Sequence, residues 1–167
     1  MSRALVITCS DRAHAQLYED RSGPILRDGL VDLGFEVDAA VIVPDEVEAI
    51  RQAIIDGVES GARVVITTGG TGVGPRDVTV RATRDLLDQE IPGISEAIRA
   101  AGAHKTPQAW LSSGLAGVAR REGRAPALVV NVPGSRGGAR DALTVLGPLL
   151  GHVVDQLDGG DHPVDPV

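Results

Sequence analysis

The chain has 167 residues, of which 43% are apolar and only 2% aromatic, so Val, Ile, Leu and Ala must fill its core. Its formal net charge of −7 disfavours nucleic acid and anionic membranes as partners, because both would be repelled without a local basic patch. The single cysteine, Cys9, excludes an intrachain disulfide, and no run approaches the roughly 18 apolar residues of a membrane span. We therefore expect a cytoplasmic protein with no nucleic-acid or membrane partner.

The first half of the chain alternates predicted strands and helices. Apolar, β-branched runs predict strands at 4–8, 35–43 and 63–68, and residues 9–12 are predicted to leave the first strand as a polar loop. Helical spacing predicts one helix that stops at Gly34 and a second that ends near Gly61. This order implies right-handed crossovers and an α/β fold with a mostly parallel sheet covered by helices.

The second half is predicted to be mixed. We predict helices at 78–87 and 94–101, an irregular stretch at 103–113, and an antiparallel pair of strands at 115–119 and 127–132. A helix is predicted at 139–157, with Pro148 breaking or kinking it. Residues 1–158 are interpreted as a single domain and residues 159–167 as a flexible C-terminal tail.

Four loops follow predicted strands and are candidates for one ligand-binding edge. They are Ser10-Asp11, Pro44-Asp45, Gly69–Asp77 and Pro133–Ser135. Ligands of open α/β sheets bind beyond the carboxyl ends of the strands, so these loops are expected to share one rim.

The loop at 69–77 carries four glycines within six residues: Gly69, Gly70, Gly72 and Gly74. Such a turn can present bare backbone N–H groups to an anion, or it can be a tight turn with no ligand. It is not a Walker A loop, which ends in Gly-Lys-Ser/Thr, and it does not continue to the third glycine of the dinucleotide fingerprint. Asp77 and Thr79 nearby favour a phosphate and metal site.

Asp45 and Asp77 each have two interpretations. Asp45 can cap the following helix, with Glu48 completing a capping-box-like pair, and Asp77 can be an acidic residue near a helix N-terminus. Alternatively, both are rim carboxylates. Two carboxylates repel a polyphosphate unless a cation intervenes, and Mg²⁺ takes one or two carboxylates plus phosphate oxygens. Together they favour Mg²⁺ with a nucleotide.

The turn Asn131-Val-Pro-Gly-Ser135 also has two interpretations. It can be a Pro-Gly turn followed by a helix cap. It can also be a second anion-binding turn, with Ser135 and nearby N–H groups as donors.

Several spaced motifs resemble the MoaB/Mog family of molybdenum-cofactor biosynthesis, which includes the plant Cnx G domain and the gephyrin G domain. The segments are Ser10-Asp-Arg12, Asp20 with Ser22-Gly23, Pro44-Asp-Glu46, Thr67-Thr-Gly-Gly-Thr-Gly72, Pro75-Arg-Asp-Val-Thr79, Pro92-Gly93, Leu111-Ser112 and Asn131-Val-Pro-Gly134. They run in family order over about residues 3–155.

The resemblance implies a three-layer α/β/α fold with a mixed sheet, and a homotrimer or a hexamer built of trimers. It implies Mg²⁺- and ATP-dependent adenylation of molybdopterin, with contact to a molybdate-inserting enzyme. By carry-over, Asp45 and Asp77 are the catalytic and metal-binding acids. The implied nucleotide and pterin site contains Ser10, Asp11, Gly69, Gly70, Thr71, Gly72, Thr79, Ser112, Pro133, Gly134 and Ser135.

The chain departs from the family pattern at three places. Val80 and Arg81 replace a helix-starting proline and an acidic residue, and Ser113 replaces an arginine that could contact phosphate. Cys9 replaces a residue that is commonly small in the family. Two alternatives therefore stay open: a non-catalytic molybdopterin-binding or scaffolding protein, and a nucleotide pyrophosphatase-type domain like those of competence-damage proteins.

Overall fold

A computed structural model describes residues 1–160. The strands are β1 Arg3–Cys9, β2 Glu36–Val37, β3 Val41–Val43, β4 Ala62–Thr68, β5 Gln89–Glu90, β6 Ala116–Ala119 and β7 Ala127–Val132. The helices are α1 Asp11–His14, α2 Ser22–Asp32, α3 Val47–Glu59, α4 Thr79–Arg84, α5 Pro92–Ala103 and α6 Arg136–Leu157, with a 3₁₀ helix at Pro107–Leu111.

The strands form one mixed sheet in the order β2-β1-β4-β7-β6-β5, with β3 also paired to β1. The pairs of β1 with β2, β3 and β4, and of β4 with β7, are parallel. The β6–β7 and β5–β6 pairs are antiparallel. The predicted α/β class with a mostly parallel, mixed sheet is therefore confirmed.

Helices cover both faces of the sheet and give three layers. On one face, apolar side chains of α2, α5 and α6 pack on the sheet around Leu30, Ile66 and Leu146. On the other face, α3 and α4 pack around Ile54 and Val65. Every residue of β4 and β7 is buried except the partly buried Arg63, and both strands are mainly apolar without an alternating pattern.

Both predicted stops of the first two helices are confirmed. Gly34 and Gly61 follow α2 and α3 with φ of 88° and 93°, a left-handed conformation that glycine adopts without steric cost. The predicted antiparallel pair, now β6 and β7, is confirmed as well.

Other predicted elements need correction. The strand predicted at 35–43 is two short strands, because residues 38–40 leave the sheet edge between them. The polar loop predicted at 9–12 is instead the end of β1 followed by α1, whose N-cap is Ser10. The helix predicted at 78–87 is shorter, the helix predicted at 94–101 is longer, and β5 was not predicted.

Pro148 does not break α6, which continues through it to Leu157. The helix is buried along one stripe against the sheet, and that packing outweighs the lost backbone hydrogen bond. Of the tail predicted at 159–167, residues 161–167 lie outside the described part of the chain. Within residues 1–160, no helix is long and apolar enough to cross a membrane.

Candidate functional site

The glycine-rich loop leaves β4 in a conformation that only glycine accepts easily. Gly69 has φ of 98°, and a Cβ there would lie 2.4 Å from the carbonyl oxygen of Cys9. A Cβ on Gly134 would lie 3.0 Å from the Cα of Gly69. The ends of β1, β4 and β7 thus meet at one edge, which confirms the expected convergence of their loops.

Thr79 holds this turn from behind. Its side chain is fully buried, and its hydroxyl donates to the carbonyl oxygen of Gly69 at 2.8 Å. Gly70 has φ of 65°, and a Cβ there would lie 2.2 Å from that hydroxyl. Thr79 therefore stabilises the turn through this hydrogen bond and does not line the open cavity.

Asp77 folds back over the front of the same turn. One carboxylate oxygen accepts from the N–H of Gly74 at 2.8 Å, and the residue is exposed. A Cβ on Gly72 would lie 2.8 Å from this oxygen. Because α4 begins only at Thr79, the carboxylate is bonded to the preceding turn rather than to the helix N-terminus.

Asp45 is joined to Asp11 by reciprocal hydrogen bonds. The backbone N–H of each residue donates to the carboxylate of the other at 2.9 Å. Arg76 donates to the second oxygen of Asp11 from Nε at 3.0 Å and from Nη2 at 2.7 Å. The capping interpretation of Asp45 is wrong, since the N-cap of α3 is Glu46 and has no side-chain cap bond.

The pKa values of the two carboxyls in this pair are shifted in opposite directions. The pKa of Asp45 is raised, mainly because the carboxyl is partly buried. The hydrogen bond from the Asp11 N–H lowers this pKa, and the negative charge of Asp11 raises it. The N–H of Asp45 and then the Arg76 guanidinium lower the pKa of Asp11. Asp45 is therefore a half-buried carboxylate with unfavourable solvation, which a cation would relieve.

An open cavity of about 540 Å³ lies between the glycine-rich turn and the start of α6. Of the predicted residues, it is lined by Ser10, Gly69, Gly70, Thr71, Gly72, Asp77, Gly134 and Ser135. Asp11, Asp45 and Thr79 lie behind or beside the turn, and Ser112 and Pro133 line a neighbouring cleft.

Sequence reasoning missed three cavity-lining arginines, Arg12, Arg21 and Arg136. The guanidinium carbons of Arg12 and Arg21 lie 5.2 and 5.7 Å from the centre of the Tyr18 ring. Arg136 is the first residue of α6, and the N–H groups of a first helical turn have no acceptors within the helix. Here the hydroxyl of the N-cap Ser135 accepts from the N–H of Gly138 at 3.0 Å. The interpretation of the turn at 131–135 as one followed by a helix cap is confirmed, and Ser135 is that cap. The three arginines give the cavity local positive charge although the chain is acidic.

Asn131 is a buried residue of β7 that links β4 and α4 through hydrogen bonds. Its amide donates to the hydroxyls of Thr67 at 2.8 Å and Thr83 at 3.0 Å, and its oxygen accepts from the N–H of Leu115 at 3.1 Å. The residue is 2% exposed. It positions the loops and does not reach the cavity.

The loop at 112–113 is tied to the glycine-rich turn through Thr71. The Ser112 hydroxyl lies 3.2 Å from the Thr71 hydroxyl, and Ser113 donates to the Thr71 carbonyl from its N–H at 2.8 Å and its hydroxyl at 2.9 Å. Arg99 donates to the carbonyls of Ser112 at 3.1 Å and Gly114 at 3.2 Å. A guanidinium from α5 therefore stands at this loop, which the sequence pattern at Ser113 did not reveal.

A second cleft of about 270 Å³ adjoins the cavity and shares Thr71, Gly72 and Ser135 with it. Its walls come mainly from α5, the 3₁₀ helix and α6. Most of the wall surface is apolar, and polar side chains including Arg99, Gln108 and Asp141 also line it.

The donor set suits Mg²⁺ only together with a ligand. Within residues 1–160, no group of three or more His, Cys, Asp and Glu side chains is arranged to hold a metal. Asp45 and Asp77 nevertheless approach the same turn, because a Cβ on Gly70 would lie 3.4 Å from Asp45 Oδ1 and one on Gly72 would contact Asp77. Two carboxylates completed by phosphate oxygens and water fit the coordination of Mg²⁺.

Cys9 lies beneath this region and is 3% exposed. Burial raises the pKa of its thiol to about 12, so it is a protonated core side chain at neutral pH.

The chain is similar in sequence and in structure to known proteins. The family described as a probable molybdopterin binding domain matches residues 5–152. A molybdenum cofactor biosynthesis bifunctional protein of Synechococcus elongatus is 42% identical over 95% of this chain and 48% of its own length. A molybdopterin adenylyltransferase of Escherichia coli is 36% identical over 89% of this chain and 75% of its own length.

A solved structure of a molybdopterin biosynthesis protein from Mycobacterium abscessus matches with a TM-score of 0.86 and 41% identity. The match covers 95% of this chain and 97% of that one. The chain spans about half the length of the bifunctional relatives that it matches.

Proposed function

The chain belongs to the molybdopterin-binding domain family, and from that premise we propose that it transfers the adenylyl group of ATP to the phosphate of molybdopterin, releasing pyrophosphate. A cytoplasmic location, a homotrimer or hexamer, and contact with a molybdate-inserting enzyme remain predictions that accompany this proposal.

One observation supports the proposal most strongly. The half-buried Asp45 and the exposed Asp77 lie against a glycine turn at the edge of a cavity that three arginines also line. Positive groups and bare N–H groups attract phosphates, whereas the two carboxylates would repel them unless a cation is bound. A magnesium nucleotide fits both features, because its phosphates would meet the positive groups and its cation would meet the carboxylates.

In the proposed reaction, an oxygen of the molybdopterin phosphate attacks the α-phosphorus of ATP in line with the leaving group. A new P–O bond forms, the bond from the α-phosphorus to the bridging oxygen breaks, and pyrophosphate leaves with that electron pair. The attacking oxygen is already ionised at neutral pH, so the chain needs no general base. Positioning and charge neutralisation account for the rate.

The residues of the site have distinct tasks in this scheme. The N–H groups of Gly70–Gly72 bind nucleotide phosphate oxygens, whereas the Gly69 N–H donates to the Val132 carbonyl. Arg12, Arg21 and Arg136 neutralise the negative charge of the cavity contents. Asp45 and Asp77 would hold Mg²⁺, which screens the charge of the phosphates. Asp11 and Arg76 orient Asp45 from the other side.

A second candidate is a non-catalytic molybdopterin-binding or scaffolding protein. Ser113 favours it, because this residue uses its N–H and hydroxyl on the Thr71 carbonyl and presents no cation to a phosphate. Arg99 supplies a guanidinium nearby, which keeps adenylation as our first choice.

The test is incubation of purified chain with molybdopterin and Mg-ATP, followed by detection of adenylated pterin and pyrophosphate. We expect equal amounts of both products. A scaffolding protein would bind molybdopterin without releasing pyrophosphate. A pyrophosphatase-type domain would release pyrophosphate or AMP in a control that lacks the pterin.

A further inference from the structure

The second cleft contains a buried carboxylate that the proposed reaction does not use. Asp141, on the second turn of α6, is 8% exposed and lines the cleft. Its Oδ1 is ion-paired with Lys105 Nζ, and the Lys105 side chain is 65% exposed. The lysine thus balances the charge from the solvent side and leaves the cleft side of the carboxylate available.

The second oxygen of Asp141 points towards α5. A Cβ on Gly102 would lie 3.7 Å from Oδ2, so the absence of a side chain at Gly102 keeps this oxygen accessible. Among residues 1–160, no donor is hydrogen-bonded to Oδ2. The Asp141 carboxylate is largely removed from water, and a ligand that supplies N–H groups to Oδ2 would replace the solvation that this oxygen has lost.

The rest of the cleft suits a flat heterocycle. Apolar side chains line it, including Ile98, Ala109 and Pro133, and its volume of about 270 Å³ is small for a whole nucleotide. Because it shares Thr71 and Ser135 with the phosphate cavity, a ring bound here can extend its chain to the glycine-rich turn.

We infer that Asp141 is the specificity-determining residue for the pyrimidinone end of the pterin, an inference that rests on the proposed function. The 2-amino group and the adjacent ring N–H of a pterin form a pair of neighbouring donors, which matches a carboxylate acceptor. In adenine the amino group is flanked by ring nitrogens that are acceptors. The lone pair of such a nitrogen would face the carboxylate and repel it. The cleft therefore selects the pterin, while the nucleotide occupies the larger cavity.

The first test uses the unmodified chain and two matched probes. They are 6-hydroxymethylpterin, which has an amino group at position 2, and 6-hydroxymethyllumazine, which has an oxo group there. Binding is followed by ligand fluorescence into the millimolar range. We expect the pterin to bind roughly tenfold or more tightly, the scale of a hydrogen bond to a charged group. Equal affinities, or no saturable pterin binding, would overturn the inference.

The second test compares Asp141→Asn with Asp155→Asn, which removes the same charge from an exposed position of the same helix. We expect Asp141→Asn to abolish the preference for the pterin and Asp155→Asn to keep it. Retained preference in Asp141→Asn contradicts the inference. If that variant does not fold, the comparison of the two probes on the unmodified chain still decides.

The assay for pyrophosphate separates this inference from the proposed function. A chain that prefers the pterin and releases no pyrophosphate supports Asp141 recognition and rejects adenylation. A chain that releases pyrophosphate with molybdopterin while the two probes bind equally supports adenylation and rejects the role of Asp141.

Discussion

Two polar clusters lie at the same edge of the sheet and differ in how completely they are satisfied. The buried cluster of Asn131, Thr67 and Thr83 uses its hydrogen-bonding groups on partners within the protein. In the acidic rim of Asp45 and Asp77, Asp77 lines the open cavity and Asp45 lies behind the same glycine turn. The first cluster serves folding, and we propose that the second is held for a ligand.

Asp77→Ala should have the largest effect, and it should fall on activity. It removes one of the two proposed ligands of Mg²⁺, so the rate of pyrophosphate release should fall roughly a hundredfold or more, as when a charge-stabilising group is lost from an active site. Initial rates at saturating Mg-ATP measure this. If Asp77→Ala reacts as fast as the parent, the assignment of Asp77 is wrong.

Asn131→Ala should instead lower the free energy of unfolding. It leaves the Thr67 hydroxyl and the Leu115 N–H without their buried partner, at a cost of roughly 2–4 kcal/mol. Urea unfolding measures the loss. Thr144→Ala, which removes an exposed hydroxyl on α6, is the control and should change stability by less than about 0.5 kcal/mol. Similar losses in both variants would remove the distinction between the clusters.

Gly70→Ala tests the turn that joins the two clusters. The alanine would adopt φ of 65° and push its Cβ into the Thr79 hydroxyl, so we expect a loss of about 1–3 kcal/mol together with weaker Mg-ATP binding. Gly137→Ala is the matched control, because nothing lies within 4 Å of its added Cβ in α6. An unchanged unfolding midpoint in Gly70→Ala would show that the turn is not constrained as described.

Asp11→Asn should have a smaller effect that depends on pH. The Asp45 N–H and Arg76 lower the pKa of Asp11 in the folded chain, so its carboxylate stabilises the fold above the unfolded pKa of about 3.9. That contribution is lost as pH falls through the folded pKa. The variant should therefore be less stable than the parent at pH 7, and the difference should shrink below about pH 4. A difference independent of pH would argue against the ionised pair.

Local sequence patterns were sufficient for the central strands and for the glycine-rich loop. The runs that became β4 and β7 are buried on both faces, so their composition alone indicates strands. The edge strands were not predictable in the same way. β2 and β3 are short and have exposed positions, so a mostly apolar stretch at 35–43, interrupted only by Glu36 and Asp38, concealed the break between them.

Long-range pairing explains what the sequence could not show about the site. Asp45 looked like a helix cap because a helix follows it, but its partner Asp11 lies 34 residues earlier and is brought there by the β1–β3 pair. The departure at Ser113 indicated a lost cation, whereas Arg99 reaches that loop from α5. Neither contact has a signal in local spacing, because each depends on how separate elements pack.

We propose that Asp45 is kept as an acid for chemistry at a cost to the fold, and Asp45→Asn separates these two effects. Burial raises the pKa of Asp45, so its ionised form opposes folding above that pKa, and the amide removes this cost while keeping an oxygen to accept from the Asp11 N–H. The measurement is the rate of pyrophosphate release and the urea unfolding midpoint on the same preparation at pH 7.

We predict a large loss of rate with an unchanged or higher midpoint. An unchanged rate, or a rate that falls only together with the midpoint, would show that Asp45 serves the fold and not the reaction.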